Sequence, residues 1–122
     1  MAQSLNTKVD LTVDAISYLG LPKYGKIMIG DKSVEFYNNR TVNDNMIFPW
    51  TSIKLVQGEV SRDKIGRTFY IVLQNKHKVR FSSQEAGKIL KVIRDYIGDE
   101  KVLRAPSIGN SIKEFFKRFK IN

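Results

Sequence analysis

Through the first 82 residues, apolar side chains recur at every second position in short runs. Val9, Leu11 and Val13 alternate with Asp10, Thr12 and Asp14, the period of a strand with one face in a core and one in water. The alternation then slips, because Ile16 and Tyr18 take the next apolar positions. A bulge or bend near Ala15 is the expected cause, and bulges help a sheet curl. Gly20, Pro22 and Gly25 punctuate the following connection. Tyr24 to Ile29 reads as the second strand, Gly30-Asp31-Lys32 as a tight turn and Val34 to Tyr37 as the third strand. The asparagine-rich stretch from Asn38 to Asn45 reads as a loop. Met46 to Phe48 is a short strand stopped by Pro49, and Ile53 to Val60 a fifth strand with Gly58 as a bulge position. Ser61 to Arg67 reads as a loop. Thr68 to Gln74 is the sixth strand, with Phe69, Ile71 and Leu73 on one face and Tyr70 and Val72 on the other. Asn75-Lys76-His77 turns the chain into a last strand, Val79 to Phe81. Seven short strands at close spacing predict a barrel or a sandwich.

After Phe81 the period changes. Ser82 followed by Glu85 is the signature of a capping box. At about 100° per residue, Ala86, Ile89, Leu90, Val92, Ile93, Tyr96 and Ile97 fill one side of a helical wheel, and Lys88, Lys91, Arg94 and Asp95 the other. Gly98 is the expected stop. Such a helix needs a sheet to cover, and the open end of a barrel offers one. Lys101 to Pro106 reads as a linker. Ser111 and Glu114 suggest a second capped helix in which Ile108, Ile112, Phe115, Phe116 and Phe119 form a stripe flanked by Lys113, Lys117 and Lys120. The expected organisation is therefore a barrel with its capping helix over residues 1–100, then a linker and a basic amphipathic helix over 101–122.

Charge sharpens that division. The 122-residue chain carries 21 Lys and Arg against 12 Asp and Glu, a net charge of +9. Residues 101–122 hold six of those cations and a single acid, Glu114, so more than half of the net charge sits in this short end. The excess favours acidic partners: nucleic acid, anionic headgroups or an acidic protein face. The C-terminal stripe fits three roles: interfacial membrane binding, docking in a groove of a membrane-protein partner, or packing on the barrel wall. Its contact residues would be Ile112, Lys113, Phe115, Phe116, Lys117, Arg118, Phe119 and Lys120. A second basic patch is expected from Arg62, Lys64 and Arg67 in one loop with Lys76, Lys78 and Arg80 in the later hairpin.

Catalysis finds little material. There is one histidine, His77, placed in a hairpin turn, and no cysteine, so a Cys–His pair is impossible and a serine triad would have to rest on a turn residue. His77 as a phosphoryl carrier is a weaker reading than a solvated turn residue. Gly25 and Gly30 lack the Lys-Ser/Thr of a phosphate-cradling loop, and the carboxylates are not spaced as a calcium loop. No catalytic residue, cofactor or metal is expected. Trp50, following Pro49, reads as a core residue. No signal peptide is expected, since Met1 to Lys8 lack a basic region followed by an apolar one, and no apolar run approaches the ~18 residues of a membrane span. A cytoplasmic protein, at most peripheral at the inner face of the plasma membrane, is the expectation.

Several of these segments resemble known patterns. Tyr24-Gly25-Lys26-Ile27-Met28-Ile29-Gly30, Val34-Glu35-Phe36-Tyr37, Ile47-Phe48-Pro49-Trp50 with Ile53, and the pair Phe69-x-Ile71-x-Leu73 and Val79-x-Phe81 before a helix resemble the GRAM and PH-like pattern. This resemblance implies a mainly β, PH-like seven-stranded barrel capped by a helix. Ser4-Leu5-Asn6-Thr7-Lys8-Val9-Asp10-Leu11, the stretch from Leu19 to Asp31, and Glu35-Phe36-Tyr37-Asn38 resemble the ManO family, small proteins encoded beside mannose-type phosphotransferase systems in Firmicutes. That resemblance implies a non-enzymatic accessory or regulatory protein whose partner is the membrane part of a mannose-type phosphotransferase permease. Phosphoinositide-style recognition fits less well, because the first connection offers only Lys23 and Lys26. The other expectations are a nucleic-acid-binding regulator of the sugar operon, for which no helix-turn-helix motif is visible, and a free-standing anionic-lipid-binding module.

Overall fold

A computed structural model describes residues 4–41, 45–61 and 64–105. Eight strands form one sheet: β1 (Val9–Ser17), β2 (Lys23–Gly30), β3 (Ser33–Asn38), β4 (Asn45–Pro49), β5 (Ile53–Ser61), β6 (Lys64–Leu73), β7 (Lys78–Ser82) and β8 (Val102–Ala105), with helix α1 (Ala86–Ile97) between β7 and β8. The order across the sheet is β4-β3-β2-β1-β7-β6-β5-β8. The expected architecture therefore needs two corrections. There are eight strands rather than seven, and the barrel is not closed, because β4 and β8 end the sheet as its two edges.

The sheet consists of two antiparallel meanders joined by a narrow seam. β1 pairs with β2 along its whole length but with β7 only through Ile16↔Ser82 and Ser17↔Phe81, extended by the Tyr18 N–H donating to the Arg80 carbonyl at 3.0 Å. The core spans this seam. Phe81 lies 5.8 Å from Phe36 and 6.3 Å from Phe48 in the first meander, and stacks at 5.6 Å on Phe69 in the second. All four rings are buried, and each contributes about 1.5–3 kcal/mol by leaving water. Helix α1 lays Ala86, Ile89, Leu90 and Ile93 on this core, as its periodicity predicts.

Four local expectations change. The register at Ala15 is regular, and the shift lies between Val9 and Leu11. Ala15 and Ser17 are the inward residues, both buried, while Ile16 and Tyr18 face outward. Small side chains on the core face, not a bulge, produce the slip in the pattern. The expected loop from Ser61 to Arg67 is shorter, since β6 starts at Lys64. The irregularity expected at Gly58 is present, between Gly58 and Val60. Ser82 belongs to β7, and it is Ser83 that organises the helix entry. The Ser83 hydroxyl accepts the Glu85 N–H at 3.0 Å and donates to the Asp14 carbonyl at 2.7 Å; the helix has no side-chain N-cap. Finally, most of the predicted linker from Lys101 to Pro106 is a strand. β8 runs parallel to β5 in the register Val56↔Val102 to Glu59↔Ala105, so residues 102–105 belong to the sheet.

The outer face of β2 and β3 is covered by residues 4–8. The buried Glu35 carboxylate accepts the Leu5 N–H at 2.8 Å and the hydroxyls of Ser33 and Tyr37, each at 2.5 Å. The Asn6 side-chain oxygen accepts the Lys32 and Ser33 N–H groups at 2.8 Å. Asp31 accepts the Thr7 and Lys8 N–H groups at 2.9 and 3.0 Å and the Thr7 hydroxyl. Gly30 makes room for this arm: a Cβ there would lie 2.2 Å from the Lys8 carbonyl oxygen. Trp50 is half-buried at the core margin, with its indole N–H on the Gly30 carbonyl at 3.0 Å and its ring stacked 4.7 Å from Tyr96.

Candidate functional site

Strands β1 and β2 are joined by residues 18–22, and this hairpin ends in apolar side chains that touch water. Leu21 is 81% exposed, Tyr24 66% and Leu19 55%. The backbone beneath them is fixed. Tyr18 is tied to Arg80 as described, the Leu19 N–H donates to the Ser17 hydroxyl at 3.3 Å, and the Asn39 N–H donates to the Tyr24 carbonyl at 3.0 Å. Gly20 takes a positive φ of 78°, the left-handed conformation that glycine adopts without strain, and Pro22 restricts φ on the other side of Leu21. Two leucines are thus presented on a constrained turn, with Lys23 and Lys26 on the strand that follows. Lys26 pairs with Asp14 at 2.7 Å, an exposed contact of small energetic weight.

The basic patch expected from sequence divides into separate places. Arg62 lies outside the described residues. Lys64 is exposed at the start of β6 and Lys76 sits in the β6–β7 turn with φ 73°. The ten residues of β6 separate those two ends by about 30 Å at strand rise. Arg67 is exposed and lines a groove of about 760 Å³ with Lys26, Lys88, Asp14 and Glu85. Lys78 and Arg80 stand two positions apart in β7 and line one groove on its outer face. The Lys78 ammonium lies 4.6 Å above the Tyr70 ring and the Arg80 guanidinium 4.3 Å from the Tyr18 ring, both cation–π contacts. The Tyr70 hydroxyl donates to Glu59 at 2.8 Å, which raises its pKa. His77 is exposed in its turn, its backbone N–H on the Asn75 side chain. The C-terminal contact residues Ile112, Lys113, Phe115, Phe116, Lys117, Arg118, Phe119 and Lys120 lie outside the described residues.

The carboxylates that are perturbed serve the arm. Thr7 and Lys8, hydrogen-bonded to Asp31, hold its carboxyl down at about 2. Burial pushes Glu35 upward, but the Ser33 and Tyr37 hydroxyls, Ser4 and the Leu5 N–H outweigh it, and the net shift is down. Both groups are acceptors saturated by the protein's own donors, which leaves them no capacity for a ligand.

Residues 1–116 match the family described as Domain of unknown function (DUF956). The chain belongs to the DUF956 family. No curated protein matches it. Among solved structures it is similar to the C-terminal domain of an unknown protein from Leishmania infantum, with a TM-score of 0.63 at 9% identity, over 72% of this chain and 82% of that one. The Spt16D Pob3N heterodimer matches with a TM-score of 0.61 at 10% identity, over 81% of this chain and 56% of that one. The linker-DH/PH domains of p115-RhoGEF match with a TM-score of 0.53 at 10% identity, over 94% of this chain and 30% of that one. At such identities the likeness concerns the fold alone. It supports a PH-like fold for this DUF956 chain, in the open eight-stranded form described above.

Leu5, Asn6, Thr7, Asp31, Glu35 and Tyr37 are the residues of the arm clasp. Leu19, Gly20 and Leu21 form the hairpin tip. Sequence reasoning passed over the tip because Gly20 and Pro22 read as punctuation; the signal was the two leucines, Leu19 and Leu21, on either side of Gly20.

Proposed function

We propose that this protein is a non-enzymatic docking module, an accessory or regulatory protein of a mannose-type phosphotransferase permease that it contacts at the cytoplasmic membrane face. The observation that supports this reading is the exposed tip of the β1–β2 hairpin. An 81% exposed leucine beside a 55% exposed one costs free energy in water that burial against a partner returns, at about 1.5–3 kcal/mol per side chain. Exposed apolar side chains on a constrained turn suit a partner surface better than a solvated loop. Lys23 and Lys26 beside them suit a site close to anionic headgroups or an acidic protein face. The partner itself comes from the ManO resemblance.

The test is co-expression of the tagged full chain with the permease membrane subunits, followed by mild detergent extraction and affinity capture. The membrane subunits are expected to co-purify with the wild type and to be lost with L19S/L21S, whose circular dichroism and melting should match the wild type. If no membrane subunit is captured, the permease reading fails. If L19S/L21S captures as much as the wild type, the hairpin tip is not the contact.

A further inference from the structure

The seam between the two meanders is also an opening. β1 has nine residues and meets β7 at only two register positions, Ile16↔Ser82 and Ser17↔Phe81. Past Ser82 the chain leaves the sheet: the Ser83 N–H donates to the Arg67 carbonyl at 2.9 Å, and α1 begins at Ala86. β7 therefore stops beside β1, and no strand continues its row. Successive residues of a strand address opposite neighbours, which tells which groups of β1 this uncovers. The Tyr18 N–H reaches Arg80 in β7, and the Asp14 carbonyl accepts the Ser83 hydroxyl at 2.7 Å, so the even-numbered residues of β1 address the seam. Thr12 turns both its N–H and its carbonyl to that side, and Asp14 its N–H. None of these three groups has a hydrogen-bond partner among the described residues.

Thr12 and Asp14 are exposed, and they line the groove of about 760 Å³ that runs along this edge, with Glu85 and Lys88 at the start of α1 also on its wall. An unpaired strand edge selects an extended chain, whose own N–H and C=O groups repeat at the matching spacing. The charges of the groove select the sign of that chain. Lys26 is taken by Asp14 at 2.7 Å and Lys88 by Glu85 at 3.6 Å. Arg67 lines the same groove and is exposed, and it has no ion pair among the described residues. The unmatched charge is thus one guanidinium, whose planar fork suits a carboxylate.

We propose that the seam is a strand-addition site, at which an extended acidic segment of a partner protein pairs with the free edge of β1 from Thr12 to Asp14 and sets a carboxylate on Arg67. The segment takes the row that β7 leaves at Ser82, and its backbone satisfies the Thr12 N–H, the Thr12 carbonyl and the Asp14 N–H. Backbone pairing supplies the affinity, and the guanidinium selects an acidic sequence. The site uses neither leucine of the hairpin tip, so each of the two surfaces can fail without the other.

Amide NMR of the full-length chain reads the site directly. In the free protein the Thr12 and Asp14 amides should exchange with deuterium about a hundredfold faster than those of Val13 and Ala15, which address β2. The probe is a blocked heptapeptide of alternating threonine and valine with a central glutamate. At about 2 mM it should slow Thr12 and Asp14 by about tenfold and shift Arg67 and Lys88, while Leu21 and Val102 stay in place. A copy with lysine for the glutamate should bind about tenfold more weakly, R67E should reverse that preference, and a copy with proline for each valine should not slow the two amides. L19S/L21S should bind the probe as the wild type does. The proposal is overturned if Thr12 and Asp14 are already slow in the free protein, if the probe leaves them fast, if the proline copy shifts Arg67 as strongly as the probe (an anion site only), or if R67E keeps the preference for glutamate.

Discussion

The N-terminal arm and the β1–β2 hairpin tip are segments of similar length that treat their side chains in opposite ways. The arm is mostly polar and clasped: the Asn6 and Thr7 side chains and the Leu5 and Lys8 amides meet Asp31, Glu35 or the β2–β3 turn. The tip is apolar, and its leucines face water. In most chains the charged, hydrogen-bonding segment would be taken for the site and the leucines for packing. Here the carboxylates are fully occupied in holding the structure together, and it is the apolar turn that has unused binding capacity. A buried, perturbed carboxylate points to a site only when a lone pair is left for something else.

The contrast breaks first at Glu35. Replacing it with alanine leaves two hydroxyls and the Leu5 N–H without their acceptor in a buried place, and E35A should lose about 2–4 kcal/mol in urea unfolding. A loss within experimental error would mean the arm contributes nothing to stability. Gly30→Ala should cost about 1–3 kcal/mol, because the Lys8 carbonyl stands 2.2 Å from the new methyl. It should also shift Trp50 emission, since the indole bonds the Gly30 carbonyl; an unshifted spectrum would uncouple arm and indole.

Acid sharpens the comparison further. The Asp31 carboxyl titrates at about 2 in the folded protein against an ordinary 3.8, so the unfolded chain binds the proton more readily and protonation favours unfolding. Its stabilisation is complete above about pH 4 and is lost as pH falls towards 2. Glu35, also shifted down, acts in the same direction. Melting temperature should fall across that window, and D31N should flatten the fall; an equal slope in D31N would remove Asp31 from the account. The smallest expected effect on stability is that of L19S/L21S, within about 0.5 kcal/mol of wild type, while capture of the partner drops about tenfold or more. A large loss of stability instead would reassign the tip to packing.

Strand positions were legible where alternation was long, as in Thr68 to Gln74, and the helix was legible because its stripe covers twelve residues. Two features were hidden for physical reasons. Inward Ala15 and Ser17 beside outward Ile16 and Tyr18 invert the usual size pattern, so hydrophobicity alone placed the wrong residues in the core. β8 is four residues long and pairs in parallel with a strand more than forty positions earlier, and neither its length nor its partner has a local signature. The pattern Val34-Glu35-Phe36 does place Glu35 on the outer face, but that the arm buries it there is a tertiary fact. The basic patch was misjudged because cations close in sequence on a hairpin can stand at opposite ends of its strands.

The short strand β8 also changes which backbone the sheet shows at its edge. Without it, β5 would present the backbone donors and acceptors of Val56 to Glu59 as a bare ribbon, the template on which foreign strands polymerise. Four residues in parallel register fill that row from within. The edge shown to solvent at this end of the sheet is therefore a strand of four residues rather than the nine of β5, and a short edge is a poor template for a foreign strand.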